Sequence, residues 1–199
     1  KIPVYSLDAS YMVDDRIGYV KLARFSQTTV EEFEDAVRLL KQEGMKELIL
    51  DLSGNGGGWL PVAVELADHF LDGTKEIVRT SGNKVPERIY SARKNGLFEE
   101  GKLVIMIDGG SASASEIVSG AVQDWDRGVI VGRRSFGKGL VQQPFYLGDG
   151  SLMRLTVARY YTPTGRLIQK PYENGYEDYA MDLIKRYNRG ELSSEDSIV

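Results

Sequence analysis

Cysteine is absent from the 199-residue chain, and histidine occurs once, at His69. Without cysteine there can be no disulfide bond, no thiol nucleophile and no zinc or iron–sulfur site that needs a thiolate. The single histidine excludes metal sites built on a histidine pair, and any Ser-His-Asp triad would depend on His69. The sequence therefore predicts neither a bound metal nor a cofactor.

The chain also lacks an excess of basic residues and any long apolar run. It has 25 Lys and Arg against 29 Asp and Glu, a net charge of −4, which argues against a nucleic-acid domain because such domains carry basic patches. No apolar run approaches the ~18 residues of a membrane helix. The N-terminal residues Lys1–Tyr5 do not resemble a signal peptide. These features predict a globular domain with no nucleic-acid partner and no integral membrane segment.

Short apolar runs that alternate with amphipathic stretches predict an α/β fold, a mixed β-sheet core with flanking helices and a small β-hairpin arm. Strands are predicted at residues 16–25, 47–52, 103–107 and 129–131, and strand pairs at 76–80 with 87–91 and 140–146 with 151–161. Helices are predicted from Thr29 to Gly44, with a Thr29–Glu32 capping box, from Pro61 to Gly73, up to Asp124 and over 178–188. We expect residues 1–15 to be an N-terminal extension, 16–175 the core and 176–199 a C-terminal helix and frayed tail.

Three loops rich in glycine or serine follow the predicted buried strands, where α/β proteins usually place their sites. In Asp51–Gly58, four glycines in five positions let successive N–H groups point one way, as in an anion-binding nest. In Asp108–Glu116, three serines precede a helix whose dipole would favour a nucleophile. The third loop, Gly132–Gly139, holds a lysine between two glycines.

Two other motifs do not support a function. The third loop nearly matches a phosphate-binding loop, but Gly139 replaces the hydroxyl residue and a strand follows instead of a helix. The S-x-x-K match at Ser81–Lys84 lacks the partner motifs of β-lactamases. A serine nucleophile with a lysine base is then the arrangement compatible with the remaining residues. Such a lysine must be neutral, and burial can lower a lysine pKa below the usual value of ~10.4.

The three loops resemble those of the carboxyl-terminal processing (tail-specific) serine proteases, the S41-type family. That family has a D-L-R-x-N-x-G-G loop, an S-A-S-A-S-E segment and an S/T-F-G-K-G-x-V-Q segment in this order. The matching segments are Asp51–Gly58, Ser111–Glu116 and Ser135–Gln142. The resemblance covers about residues 17–170 and implies a crotonase-like, ββα-type protease core.

The resemblance also implies a role for individual residues. The nucleophile, the general base and the residue that orients the base are Ser113, Lys138 and Gln142. The backbone donors of the oxyanion hole are Gly57, Gly58 and Ala114. The supporting polar residues are Glu116, Asp124 and Ser135.

The implied function is a serine endopeptidase that cleaves protein substrates near their C-termini. Its partners would be unfolded or tail-exposed proteins, its location exported, periplasmic or at the cell envelope, and a homo-oligomer stays compatible with it. Two departures stand out: Ser53 replaces the arginine of the first loop, and no segment resembles the PDZ domain of the family. The chain is then either a catalytic core trimmed of that domain or a member that works without it. Two alternatives remain, a catalytically silent peptide-binding or scaffolding relative, and a Ser-His-Asp esterase on His69, for which no G-x-S-x-G elbow exists.

Overall fold

The computed structural model describes residues 5–172 and 175–191. From Ile17 to Asp68 the chain runs strand, helix, strand, helix, and beyond that the order is mixed, as the sequence predicts. In chain order the elements are β1 (Leu7–Met12), β2 (Ile17–Leu22), α1 (Thr29–Gln42), β3 (Glu47–Asp51), α2 (Leu60–Asp68), β4 (Glu76–Ser81), β5 (Arg88–Ser91), β6 (Leu103–Ile107), α3 (Ala114–Asp124), β7 (Val129–Gly132), β8 (Leu140–Tyr146), β9 (Leu152–Tyr161), α4 (Gly175–Ala180) and α5 (Asp182–Asn188).

The larger sheet has five strands in the order β1-β2-β3-β6-β7. β1 is antiparallel to β2, whereas β2, β3, β6 and β7 are mutually parallel. Helices α1, α2 and α3 supply buried apolar residues that share one core with this sheet. The predicted α/β class with a mixed sheet and flanking helices is confirmed. Because the carboxyl ends of parallel strands meet at one edge, the loops after β3, β6 and β7 are brought together.

The smaller sheet has four strands in the order β5-β4-β9-β8. The expected hairpin arm exists as β4 and β5, and the second expected pair exists as β8 and β9. The sequence did not predict that β4 also pairs with β9, which joins the two hairpins into one sheet. β4 and β9 are far apart in sequence, and their pairing leaves no local pattern from which it could be predicted. Only the tertiary structure shows it.

The start of α1 differs from the predicted capping box. Thr29 is already helical, and its Oγ1 accepts a hydrogen bond from the Ser26 N–H at 2.7 Å. The Glu32 carboxylate instead accepts the N–H groups of Ser6 and Leu7, both at 2.8 Å. The predicted capping box is therefore wrong, because the N-cap residue is Thr28 and the Glu32 carboxylate is bound by the N–H groups of Ser6 and Leu7.

Two further differences concern the ends of the chain. Leu7–Met12 forms strand β1 of the larger sheet, although the sequence predicts no strand there. The single polar helix predicted over 178–188 is two helices, α4 and α5, separated at Met181. The tail predicted to fray falls largely outside the described residues. Within the described ranges, every helix is too short or too polar to cross a bilayer.

Candidate active site

Hydrogen bonds join the loop after β3 to the loop after β6. The carbonyl oxygen of Asn55 accepts the Ala112 N–H at 3.0 Å and the Ser115 hydroxyl at 2.9 Å. The Ser111 hydroxyl donates to the Leu52 carbonyl at 2.8 Å. The glycine loop and the serine loop, 50 or more residues apart in sequence, are therefore held as one structure.

Asn55 braces this junction, and the sequence did not single it out. Its side chain is fully buried, with Nδ2 donating to the Leu22 carbonyl at 2.8 Å and Oδ1 accepting the Gly57 N–H at 2.9 Å. Its position as the one amide residue among the glycines of the loop is the signal that could have found it, since asparagine side chains hydrogen-bond their own loop backbone.

Ser113 lies between β6 and α3 in a conformation that L-residues rarely adopt. Its φ is 56° and its ψ is −109°, and it is the residue that immediately precedes α3. Backbone strain of this kind clusters at functional sites and is kept only where the surroundings enforce it. The Ser113 N–H donates to Glu116 Oε2 at 2.7 Å, which is one such constraint.

Gly57 must be glycine for the serine loop to approach. Its φ is +94°, and a Cβ there would lie 2.5 Å from the Ala112 carbonyl oxygen and 2.8 Å from the Ser113 Cβ. Any side chain at this position would therefore push Ser113 away from the glycine loop.

The three predicted oxyanion donors differ in whether their N–H groups already have a hydrogen-bond partner. The Gly57 N–H already donates to Asn55 Oδ1. Among the described residues, the N–H groups of Gly58 and Ala114 have no hydrogen-bond partner. Gly58 pairs with Phe25 through its neighbours' backbone groups, because Phe25 N donates to Gly57 and Trp59 N donates to Phe25. This pairing leaves the Gly58 N–H directed away from Phe25.

A single carboxylate, that of Glu116, connects the serine loop to the lysine loop. Glu116 is only 5% exposed. Besides the Ser113 N–H, it accepts the Ser135 hydroxyl at 2.7 Å, the Gly137 N–H at 2.6 Å and the Lys138 N–H at 2.8 Å. The structure thus brings together four of the residues named from sequence: Ser113, Glu116, Ser135 and Lys138.

The structure does not show the burial expected around Lys138 or the contact expected between Gln142 and Lys138. The Lys138 side chain is exposed, so this chain lacks the burial expected around the lysine. Gln142 is also exposed, and no hydrogen bond joins it to Lys138 within the described part of the chain. The pairing of β8 with β9 shifts register between Val141 and Gln142, and such a shift interrupts the alternation of faces on which the expected contact between Gln142 and Lys138 depended.

Asp124 lies at the opposite end of α3 from Ser113, about 16 Å away at the rise of an α-helix. It accepts hydrogen bonds from the Thr164 N–H and hydroxyl and from Arg166. Burial alone would raise the pKa of Asp124, but these hydrogen bonds outweigh it and hold the pKa below its usual range. Its contacts brace the turn after β9 and do not reach the three loops.

His69 has structural contacts. Its Nδ1 accepts the Leu97 N–H at 3.3 Å, Nε2 lies 3.2 Å from Glu34 Oε1, and its ring packs against Phe33. Burial lowers the pKa of His69. None of these neighbours belongs to the serine loop, so the esterase alternative finds no geometric support.

Asp51 anchors the start of the glycine loop. Its buried carboxylate accepts the Tyr19 hydroxyl at 2.6 Å, the Ser53 N–H at 2.7 Å and the Lys21 ammonium at 3.0 Å. Burial by itself would raise the pKa of Asp51, but hydrogen bonds led by that of Tyr19 hold it below its usual range. The ionised form of Asp51 therefore stabilises the fold.

We expect Asp51→Asn to lower the free energy of unfolding at pH 7 by about 1–3 kcal/mol. A folded-state pKa below the unfolded value of ~3.9 means that this contribution is present above pH ~4 and is lost as the pH falls further. Denaturant titrations at pH 7 and pH 3 should show the gap between wild type and variant narrowing at the lower pH. Tyr19→Phe, which removes one donor, serves as a milder control, and an equal gap at both pH values would contradict the role of the charge.

Several known proteins are similar to this chain in sequence. The sequence model of the family described as Peptidase family S41 matches residues 16–180. A carboxy-terminal-processing protease of Bartonella bacilliformis is 37% identical over 93% of this chain and 46% of its own length. A chloroplastic C-terminal processing peptidase of Tetradesmus obliquus is 41% identical over 78% of this chain and 33% of its own.

Solved structures agree. The photosystem II D1 C-terminal processing protease matches with a TM-score of 0.71 and 41% identity over 77% of this chain and 40% of that one. A lipoprotein from Streptococcus agalactiae, 16% identical, matches with a TM-score of 0.65 over 92% of this chain and 69% of that one, which shows the fold alone. The chain spans less than half the length of the two curated relatives.

Proposed function

Because the chain belongs to peptidase family S41, we propose that it is a serine endopeptidase that cleaves protein substrates near their C-termini with Ser113 and Lys138. The observation that carries the proposal is the Glu116 carboxylate, which binds the backbone of both residues. By binding both backbones, this buried carboxylate fixes the position of the proposed nucleophile relative to the proposed base. The name of the Bartonella relative, carboxy-terminal-processing protease, supports the substrate class.

In the proposed reaction, Lys138 in its neutral form removes the proton from Ser113 Oγ as the oxygen attacks the substrate carbonyl. The tetrahedral intermediate carries a negative oxygen, for which the unpaired N–H groups of Gly58 and Ala114 are suitable donors. The lysine ammonium then returns the proton to the leaving amine, and water hydrolyses the acyl-enzyme by the same sequence. Gly57 would shape this hole through its positive φ rather than donate to the oxyanion.

For this reaction the Lys138 amine must come within hydrogen-bond reach of Ser113 Oγ. The Lys138 N–H is fixed on Glu116, while the exposed side chain makes no hydrogen bond or ion pair among the described residues. A lysine side chain has four rotatable bonds, so it can reorient without moving the loop. Gln142 would orient the ammonium only in a conformation that brings the two side chains together, and its role stays a prediction.

An unfolded substrate tail would bind by strand addition. β8 is an edge strand of the smaller sheet and begins two residues after Lys138. Adding a strand to such an edge uses backbone hydrogen bonds and therefore reads extended conformation more than side-chain identity. Unfolded or tail-exposed proteins are accordingly the proposed substrates, and an exported, periplasmic or cell-envelope location remains the prediction from the resemblance.

Labelling with a fluorophosphonate probe tests the proposal against the catalytically silent alternative. We expect the wild-type chain to be labelled in a time-dependent manner, faster as the pH rises because only the neutral lysine is a base. Ser113→Ala should not be labelled, whereas Ser111→Ala, a neighbour in the same loop, should keep its label if it remains folded. Absence of label from a folded wild-type chain at every pH would favour the silent relative.

A further inference from the structure

The segment after β9 also binds the lysine loop. Gln169 is 5% exposed. Its Oε1 accepts the Gly139 N–H at 3.0 Å, and its Nε2 donates to the Lys170 carbonyl at 3.0 Å. Both ends of this buried amide are therefore paired, and one of them is paired to the residue that directly follows Lys138.

The two glycines that flank Lys138 are shaped to this segment. A Cβ on Gly139 would lie 2.3 Å from the Gln169 backbone nitrogen, and a Cβ on Gly137 would lie 2.8 Å from the Lys170 Cβ. The Lys170 N–H also donates to the Gly137 carbonyl at 3.0 Å. Because no other residue type would permit this approach, the G-K-G pattern reflects contact with residues 168–170.

The same segment is itself anchored. The Lys170 ammonium lies 3.9 Å from the centre of the Tyr179 ring and 4.9 Å from that of Phe136. Cation–π contacts of this kind tie the segment to α4 and to the residue before Gly137. Gln169 thus transmits the position of a supported segment to the lysine loop.

We propose that Gln169 is a positioning residue for Lys138, an inference that rests on the proposed function. Glu116 holds the loop through the Gly137 and Lys138 N–H groups, and Gln169 holds it through the next N–H along the chain. With three consecutive N–H groups bound, the Cα of Lys138 is fixed and only its side chain moves. Loss of the third bond would free the backbone at Gly139 and let Lys138 shift relative to Ser113, and small misplacements of a catalytic group lower the rate.

The test compares two methionine variants of similar shape. Gln169→Met removes the acceptor and the donor, and we expect kcat on an unfolded protein substrate or fluorogenic peptide to fall about 10- to 100-fold with KM unchanged. Gln123 lies near the C-terminal end of α3 and accepts a hydrogen bond from Arg166. Gln123→Met, which removes that bond, is the matched control and should keep wild-type kinetics. Backbone amide exchange at Gly139 should become faster in the first variant and not in the second.

Gln169→Glu separates positioning from simple stability. Its carboxylate still accepts the Gly139 N–H but places a negative charge near Lys138, which favours the ammonium form. We expect the rising limb of the pH–activity profile to move up by about one pH unit, a shift that a purely structural role would not produce. This variant also answers the question if Gln169→Met does not fold.

The outcomes distinguish the two proposals. Equal kinetics in Gln169→Met and Gln123→Met, with the wild-type enzyme active, would overturn the positioning role alone. An unmoved pH profile in Gln169→Glu would also overturn it. A folded wild-type chain that neither hydrolyses substrate nor reacts with a fluorophosphonate would overturn the proposed function, and the positioning role with it.

Discussion

Replacing either Ser113 or Lys138 with alanine is expected to lower peptide-bond hydrolysis by about 10⁴-fold or more, because the nucleophile and its base act as a unit. The fold should survive both changes. The Lys138 side chain is exposed, and Ser113→Ala removes one hydroxyl group while the N–H of that residue keeps its bond to Glu116. Degradation of an unfolded model protein measures the activity, and thermal unfolding measures the stability.

Lys138→Arg sharpens this prediction. Arginine keeps the positive charge and the length of the side chain but cannot lose its proton near neutral pH. If Lys138 acts as a base, the arginine variant should be as inactive as the alanine variant. Substantial hydrolysis by Lys138→Arg would mean that the lysine contributes only charge, and retained hydrolysis by Ser113→Ala, with contaminating proteases excluded, would rule out the proposed nucleophile.

Glu116→Gln is the second variant for which we expect a large loss, about 100-fold in kcat or more. Glu116 accepts hydrogen bonds from four donors that belong to both loops. An amide of the same shape has one acceptor oxygen and one donor nitrogen, so its NH₂ group would face N–H groups that need an acceptor. The loops should separate at this point, because an unsatisfied buried donor costs about 1–3 kcal/mol.

Ser135→Ala is the matched control for Glu116→Gln. It removes one of the four donors and leaves the carboxylate with its three backbone partners, so the loss of kcat should be much smaller. Amide exchange at Gly137 and Lys138 should rise in Glu116→Gln and stay near wild type in Ser135→Ala. Wild-type kinetics in Glu116→Gln would show that the connection between the loops is not needed for turnover.

The sequence by itself determined most of the elements and the candidate nucleophile and base. Strand β6 was predicted at the observed residues, because a short apolar run between turn signals is a local property of the chain. The resemblance of three loops to the family's motifs assigned Ser113 and Lys138 as candidate nucleophile and base. The missing cysteine and the single histidine excluded thiol chemistry and paired-histidine metal sites. Even the need for small residues beside Lys138 was visible as a G-K-G pattern.

Only the tertiary structure decided how these residues are held. Asn55, Glu116 and Gln169 each bind backbone groups of segments 20 or more residues away, and such contacts leave no periodic pattern in the sequence. The structure also showed that the Gly57 N–H is already paired and that Asp124 lies far from Ser113. The physical reason is the same in each case: a buried polar group must find a partner, and which partner it finds depends on how distant segments pack together.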